Sequence, residues 1–216
     1  MGISTDELLK KEVEAFRNGG KRYKNDYCNL RSDINEKSID AAVTLAYHDA
    51  QRTMKGIGKR KTDKEEALKN IKKELRDYFS NPIPAAGFDT LHDRLCNIWC
   101  RKFDDSEIGA YGKAQKIINM SFKYLFCCDD APGCVDNSKY IDHFKFCHMP
   151  LDSYTLEWYK RSSNNQKKTY TWSKMKKGDY TEIQDGIRII LNKTVDTPLE
   201  KEFKVWPEIQ KERARK

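Results

Sequence analysis

Two short stretches place nucleophilic and acidic side chains where chemistry can use them. Ile108-Gly109-Ala110-Tyr111-Gly112-Lys113-Ala114 is a glycine-bearing turn that runs straight into the most apolar segment of the chain. At a helix start the backbone N–H groups point outward with partial positive charge, so Gly109 and Gly112 suit a phosphate. A lysine at that point lies near the positive end of the helix dipole and against an apolar surface. Both effects disfavour its ammonium form and make the amine a better nucleophile. The second stretch, His148-Met149-Pro150-Leu151-Asp152-Ser153, sets Asp152 at a helix start 39 positions after Lys113, aimed at the amides of Ser153 or Thr155.

Helices must position these groups. Apolar residues recur at three- and four-residue steps through nearly the whole chain, and start and stop signals divide it into about eight helices. Leu8, Leu9, Val13 and Phe16 share one face of a first helix, closed by Gly19-Gly20. Ile39, Ala42, Val43, Ala46, Tyr47 and Ala50 make a second, stopped by Gly56-Ile57-Gly58. Thr62 with Glu65 predicts a capping box for a third, ending at Asn81-Pro82, and Asp89 predicts the cap of a fourth. Lys113 to Cys128 carries the fewest charges and is the expected central buried helix. Later helices are expected from Pro150-Leu151-Asp152-Ser153, along Ile183, Ile187, Ile190 and Leu191, and from Thr197-Pro198 to a kink or end near Pro207. One short strand, Lys168 to Trp172, is the only break from helix.

The chain has 216 residues, 34% of them charged and 38% hydrophobic, with 11% aromatics, enough to build a core. The reading is one helical domain over 1–216, with the candidate site at 105–160 and a basic part at 160–216. The formal net charge of +8 is uneven: Lys160 to Lys216 holds 15 Lys+Arg and 8 Asp+Glu. A second basic run, Arg52 to Asp77, holds 10 basic and 5 acidic residues and includes Lys59-Arg60-Lys61 beside the Gly-Ile-Gly turn. Basic residues next to glycine turns and aromatics (Tyr170, Trp172, Tyr180) suit a nucleic-acid backbone; the plainer alternative is a solvated helix face. No apolar run is long enough for a membrane span and no secretory leader is read, so a cytoplasmic protein is expected. Seven cysteines fit reduced thiols better than a disulfide framework.

The Gly-x-x-Gly-Lys-Ala turn followed by Met-Pro-Leu-Asp-Ser resembles the helix-hairpin-helix DNA glycosylases, nearest the archaeal 8-oxoguanine glycosylase branch, over residues 105–160. The resemblance implies an all-α fold, a hairpin that holds DNA backbone and a catalytic lysine opening the next helix. It assigns Lys113 the attack on the sugar C1′ that forms a Schiff base, and Asp152 the stabilisation of developing positive charge and activation of the lysine. It implies base excision with lyase activity on duplex DNA carrying an extruded base, with no cofactor. Gly109, Gly112, Lys59, Arg60 and Lys61 would hold the backbone, and Tyr111, Phe144, His148, Tyr154 and Trp158 would line the base pocket. Two departures stand in the residues themselves. Tyr111 occupies the place of the hairpin's second glycine, and Lys116 and Lys123 share the helix with Lys113.

The other chemistries fit less well. Cys96, Cys100, Cys127, Cys128, Cys134, His143, Cys147 and His148 lack the paired spacings of a zinc knuckle, and no metal is assigned. No cysteine run of the iron–sulfur kind follows Cys147. Glu12 with Glu14, or Asp104, Asp105 and Glu107, read as capping or solvated acids rather than a nuclease site. The alternative from a different class is a non-catalytic helical protein that binds nucleic acid or another protein through its basic parts.

Overall fold

Helical periodicity governs the chain from end to end. A computed structural model describes residues 5–18, 24–81, 87–163 and 169–215. Its helices are α1 (Thr5–Asn18), α2 (Lys24–Asn29), α3 (Glu36–Gln51), α4 (Lys61–Ser80), α5 (Gly87–Lys102), α6 (Tyr111–Leu125), α7 (Ile141–Phe144), α8 (Ser153–Ser162), α9 (Lys177–Leu191) and α10 (Pro198–Ala214). Three 3₁₀ turns, Ile57–Arg60, Glu107–Gly109 and Trp172–Lys174, occupy junctions. The fold is all-α: eight helices have ten residues or more, α2 and α7 are short additions, and no strand occurs among the described residues.

α6 is the central helix that its composition predicts, and it is buried at every residue from Gly112 to Leu125. α3 makes the most extensive contact with it, because Ala41, Ala42, Ala46 and Ala50 are fully covered and their small side chains let the two helices approach closely. α5 flanks the pair, contributing Leu91, Leu95 and Trp99 to the main core. A second apolar cluster joins Met149, Leu151 and Leu156 to Tyr180, Ile183 and Ile187 of α9, and Tyr111 touches both clusters.

Some local expectations are corrected. α4 starts at Lys61, with Arg60 at the cap position and no side-chain cap, so Thr62 and Glu65 form no capping box. Among the described residues at this end of the chain a capping box forms at α3, where the Asn35 side chain accepts from the amides of Lys37 (2.8 Å) and Ser38 (3.2 Å) and the Ser38 hydroxyl takes the Asn35 amide (2.8 Å). Asp89 does not cap α5: the helix begins at Gly87, and the carboxylate is drawn to His148 and Arg188 instead. The α10 start is as expected, with Thr197 and Glu200 exchanging both capping bonds around Pro198. The helix runs on through Pro207 to Ala214 rather than ending there. Of the expected strand, Lys168 lies outside the described residues, as do Gly19-Gly20 and Pro82; Thr169–Thr171 is irregular and Trp172 opens a 3₁₀ turn.

Candidate functional site

The turn before α6 is closed by the protein itself. Gly112 donates its N–H to the Met175 carbonyl (3.0 Å) and Gly109 donates to Ser106 (3.1 Å), so the amides expected to face a phosphate are used internally. A Cβ on Gly112 would fall within the Trp172 carbonyl, and one on Gly109 within the Phe103 carbonyl. These glycines are needed because chain packs on chain, which corrects their assignment to a nucleic-acid backbone. Lys113 is 3% exposed and its amine donates to the Glu107 carbonyl (2.6 Å). Burial, joined by the Lys174 cation, holds its pKa below the ordinary lysine value against the pull of Glu107.

Asp152 caps α8, accepting from the amides of Tyr154 (2.8 Å) and Thr155 (3.1 Å) through Oδ1. The expected partner Ser153 is not used. Its other oxygen, Oδ2, meets Nζ of Lys116 at 2.9 Å, not Lys113. Burial opposes both charges, yet mutual attraction outweighs it. Asp152 stays below the usual carboxylate range with Lys116 and the two amides on it, and Lys116 is held above the ordinary lysine value by Asp152, Glu202 and Asp49. About two turns further along α6, Lys123 pairs with the fully buried Glu202 and lies over the rings of Phe16 and Phe203. The second stretch therefore meets the helix that the first one opens, through Lys116 and through Gln115, which donates to the Leu151 carbonyl (3.0 Å) and accepts the Leu151 amide (3.2 Å).

The five expected pocket residues do not converge on one cavity. Phe144 lies in the main core against Phe79 (5.4 Å between ring centroids) and Phe126 (5.5 Å). Tyr154 packs on Trp206 (5.1 Å) beneath the Arg213 guanidinium (4.3 Å). Trp158 covers the edge of the second cluster, and the Tyr111 hydroxyl donates to Asp93 (3.3 Å). His148 is 5% exposed and sits in a buried polar web rather than at a rim. Its Nδ1 is 2.7 Å from the Tyr180 hydroxyl and its Nε2 is 2.7 Å from Asp89 Oδ1, with Arg188 bridging the same carboxylate. Tyr180 also meets His92 Nε2 (3.1 Å) and accepts from Asn119 (2.9 Å). Burial drives both histidines toward the neutral form, His92 strongly. Reading the sequence missed His92, Asn119 and this role of Tyr180. The available signal was Gln115, Asn119 and Lys123, polar residues at four-residue steps on an otherwise apolar helix.

The turn between α3 and α4 has the opposite character. Gly56 adopts φ +88°, where a side chain is strained, and a Cβ on Gly56 or Gly58 would meet nothing within 4 Å. The turn is held from below: buried Met54 accepts the Ile57 amide (3.1 Å), and Gly56 accepts that of Lys59 (3.0 Å). Arg60, expected to bind a backbone, is instead a clamp. It bonds Asp63 (2.5 Å) and both oxygens of Asp105 (3.0 Å each) and lies over the Phe103 ring, fixing the turn to the end of α5. Lys59 is exposed and forms no ion pair among the described residues, and Lys61 makes only a long contact with Glu65 (3.9 Å). Arg52, Lys55, Lys69 and Lys73 are further exposed cations around this end of α3 and along α4.

All seven cysteines are free, and burial lifts the Cys128 thiol to about 12. Among the described residues no three His, Cys, Asp or Glu side chains are grouped to hold a metal, and no helix is long and apolar enough to cross a membrane. No family model, curated protein or solved structure matches the chain.

Proposed function

We propose that this protein binds nucleic acid by its phosphate backbone through the open turn Gly56–Lys61, as a helical binding module. The observation that carries the reading is a glycine turn with empty space over it at the uncapped start of a twenty-residue helix, bearing Lys59 without an ion partner. The positive end of the α4 dipole and an exposed lysine without an ion partner are groups that attract a phosphodiester oxygen. Asp63 stands in the first turn of α4, but Arg60 neutralises it. The test is fluorescence anisotropy with a labelled 20-nucleotide strand and a 20-base-pair duplex between 50 and 200 mM salt. Affinity is expected to fall linearly with salt on logarithmic axes. Lys59→Glu combined with Lys61→Glu is expected to weaken binding about tenfold or more and flatten the slope. Binding that ignores both salt and these substitutions removes the reading.

A second reading, base excision by a lysine imine, is favoured by one observation: the depressed Lys113 amine lies one turn from the Lys116–Asp152 pair. In it the Lys113 amine attacks C1′, the base departs with the bonding electrons, and the sugar opens to an imine that Asp152 stabilises. The binding reading stands first because Lys113, Lys116 and Lys123 are each under a tenth exposed and already engaged. Borohydride trapping on duplexes containing 8-oxoguanine, uracil or an abasic site tests it. A covalent adduct lost in Lys113→Gln supports the enzyme, and absence of adduct on every substrate excludes it.

A further inference from the structure

A cleft of 330 Å³ opens between α8 and residues 169–172. Its walls are apolar and aromatic: Leu156 and Tyr159 from α8, Tyr170 and Trp172 from the facing segment. Lys160 stands exposed on its rim, and the one acid there, Glu157, is taken up by Arg161 and Arg213. The rim is therefore cationic. Lys174 and Lys176 follow shortly after Trp172 and are exposed.

The cleft is joined to the open turn by a continuous set of contacts. Arg60 holds Asp105, Lys174 lies 4.0 Å from Glu107, the Glu107 carbonyl holds Lys113, and Gly112 bonds Met175 just beyond Trp172. The connection of residues 103–110 and the first turn of α6 thus contact the glycine turn through Asp105 and the aromatic segment through Gly112.

Volume and wall chemistry select the occupant. A space of 330 Å³ lies at the lower end of ligand-site sizes and takes one planar ring system, not a duplex. Aromatic walls reward a ligand with an exposed π-face, and a base inside a duplex has both faces covered by its neighbours in the stack. Only an unpaired base presents a face to Trp172 or Tyr170 while its phosphates reach Lys160. We propose that this cleft takes an unpaired nucleobase, so that the protein prefers single-stranded nucleic acid to duplex; the proposal rests on backbone binding at Gly56–Lys61.

The test compares a dT20 strand with a 20-base-pair duplex by anisotropy, for the full chain and for Trp172→Ala, Tyr170→Ala and Trp172→Phe, with unfolding curves for each variant. The wild type is expected to bind dT20 more tightly than duplex. Trp172→Ala and Tyr170→Ala are expected to weaken dT20 about tenfold while changing duplex affinity less than twofold, and Trp172→Phe to restore most of the loss, since a phenyl ring still stacks. If Lys59→Glu weakens both nucleic acids but the aromatic variants weaken neither, the turn reading stands and the cleft proposal is overturned. Equal losses on strand and duplex in the aromatic variants overturn it too. If the wild type binds no nucleic acid, both fall together.

Discussion

The two glycine turns of this protein look alike in sequence and do opposite things in the fold. Gly109–Lys113 and Gly56–Lys61 each place two glycines and at least one lysine at the start of a long helix. At the first, the neighbouring chain fills the space over both glycines, the amides bond inward and the lysine is covered. At the second, nothing lies over the glycines and Lys59 reaches solvent. The difference shows that a glycine-rich helix start is a binding element only when the space that glycine vacates is left open. What decides this is the helix that follows. α6 is apolar and is drawn into the core, carrying its turn with it, whereas α4 has one buried face, Ala67, Ile71, Leu75 and Tyr78, and leaves its start at the surface.

The comparison can be broken most forcefully at the buried side. Asp152→Ala removes the α8 cap and strands the Lys116 ammonium in the core, with an expected loss of about 3–5 kcal/mol in chemical unfolding. A loss below about 1 kcal/mol would mean that the pair is hydrated and open. Gly112→Ala, which drives a methyl group into the Trp172 carbonyl, is expected to cost about 3 kcal/mol. Gly58→Ala, at a position with room and without a positive φ, is expected to stay within about 0.5 kcal/mol. Equal effects at the two glycines would erase the distinction.

Acid sharpens it further. His92 and His148 are held neutral by burial, so their folded pKa values lie below the unfolded value of about 6.5 and the unfolded chain binds more protons between the two. Stability is then complete above about pH 6.5 and falls as pH drops below it, by up to about 1.4 kcal/mol per pH unit for each histidine. Asp89, held far down by His148 and Arg188, adds a further loss as pH falls below its unfolded value of about 3.9. Thermal melts from pH 7.5 to 5.5 read the first part. A flat curve would show that the web around Tyr180 is open to water.

Much of the fold was legible because the apolar spacing is regular: eight long helices, the central place of α6, the Thr197 cap and the Asp152 cap all follow from residue type and period. The candidate site was legible only in part. Residue order brings Lys113 and Asp152 to neighbouring segments, but it is Lys116, almost one turn further along the same side of α6, that meets Asp152. The fates of Gly109 and Gly112 depend on Phe103 and on Trp172, the latter sixty positions away, and no local pattern reports such a contact. Arg60 shows the same limit. It reads as a free cation beside a glycine turn, and only the approach of Asp105 makes it a clamp.

The most direct test of the contrast is a titration of ¹⁵N-labelled protein with a 20-base-pair duplex, whose stacked bases leave the aromatic cleft empty, followed by amide chemical shifts. The account predicts that the largest shifts fall on Gly56 to Lys61, while Gly109 to Lys113 stay in place. Shifts concentrated at Gly109 to Lys113, or none at either turn, would contradict it.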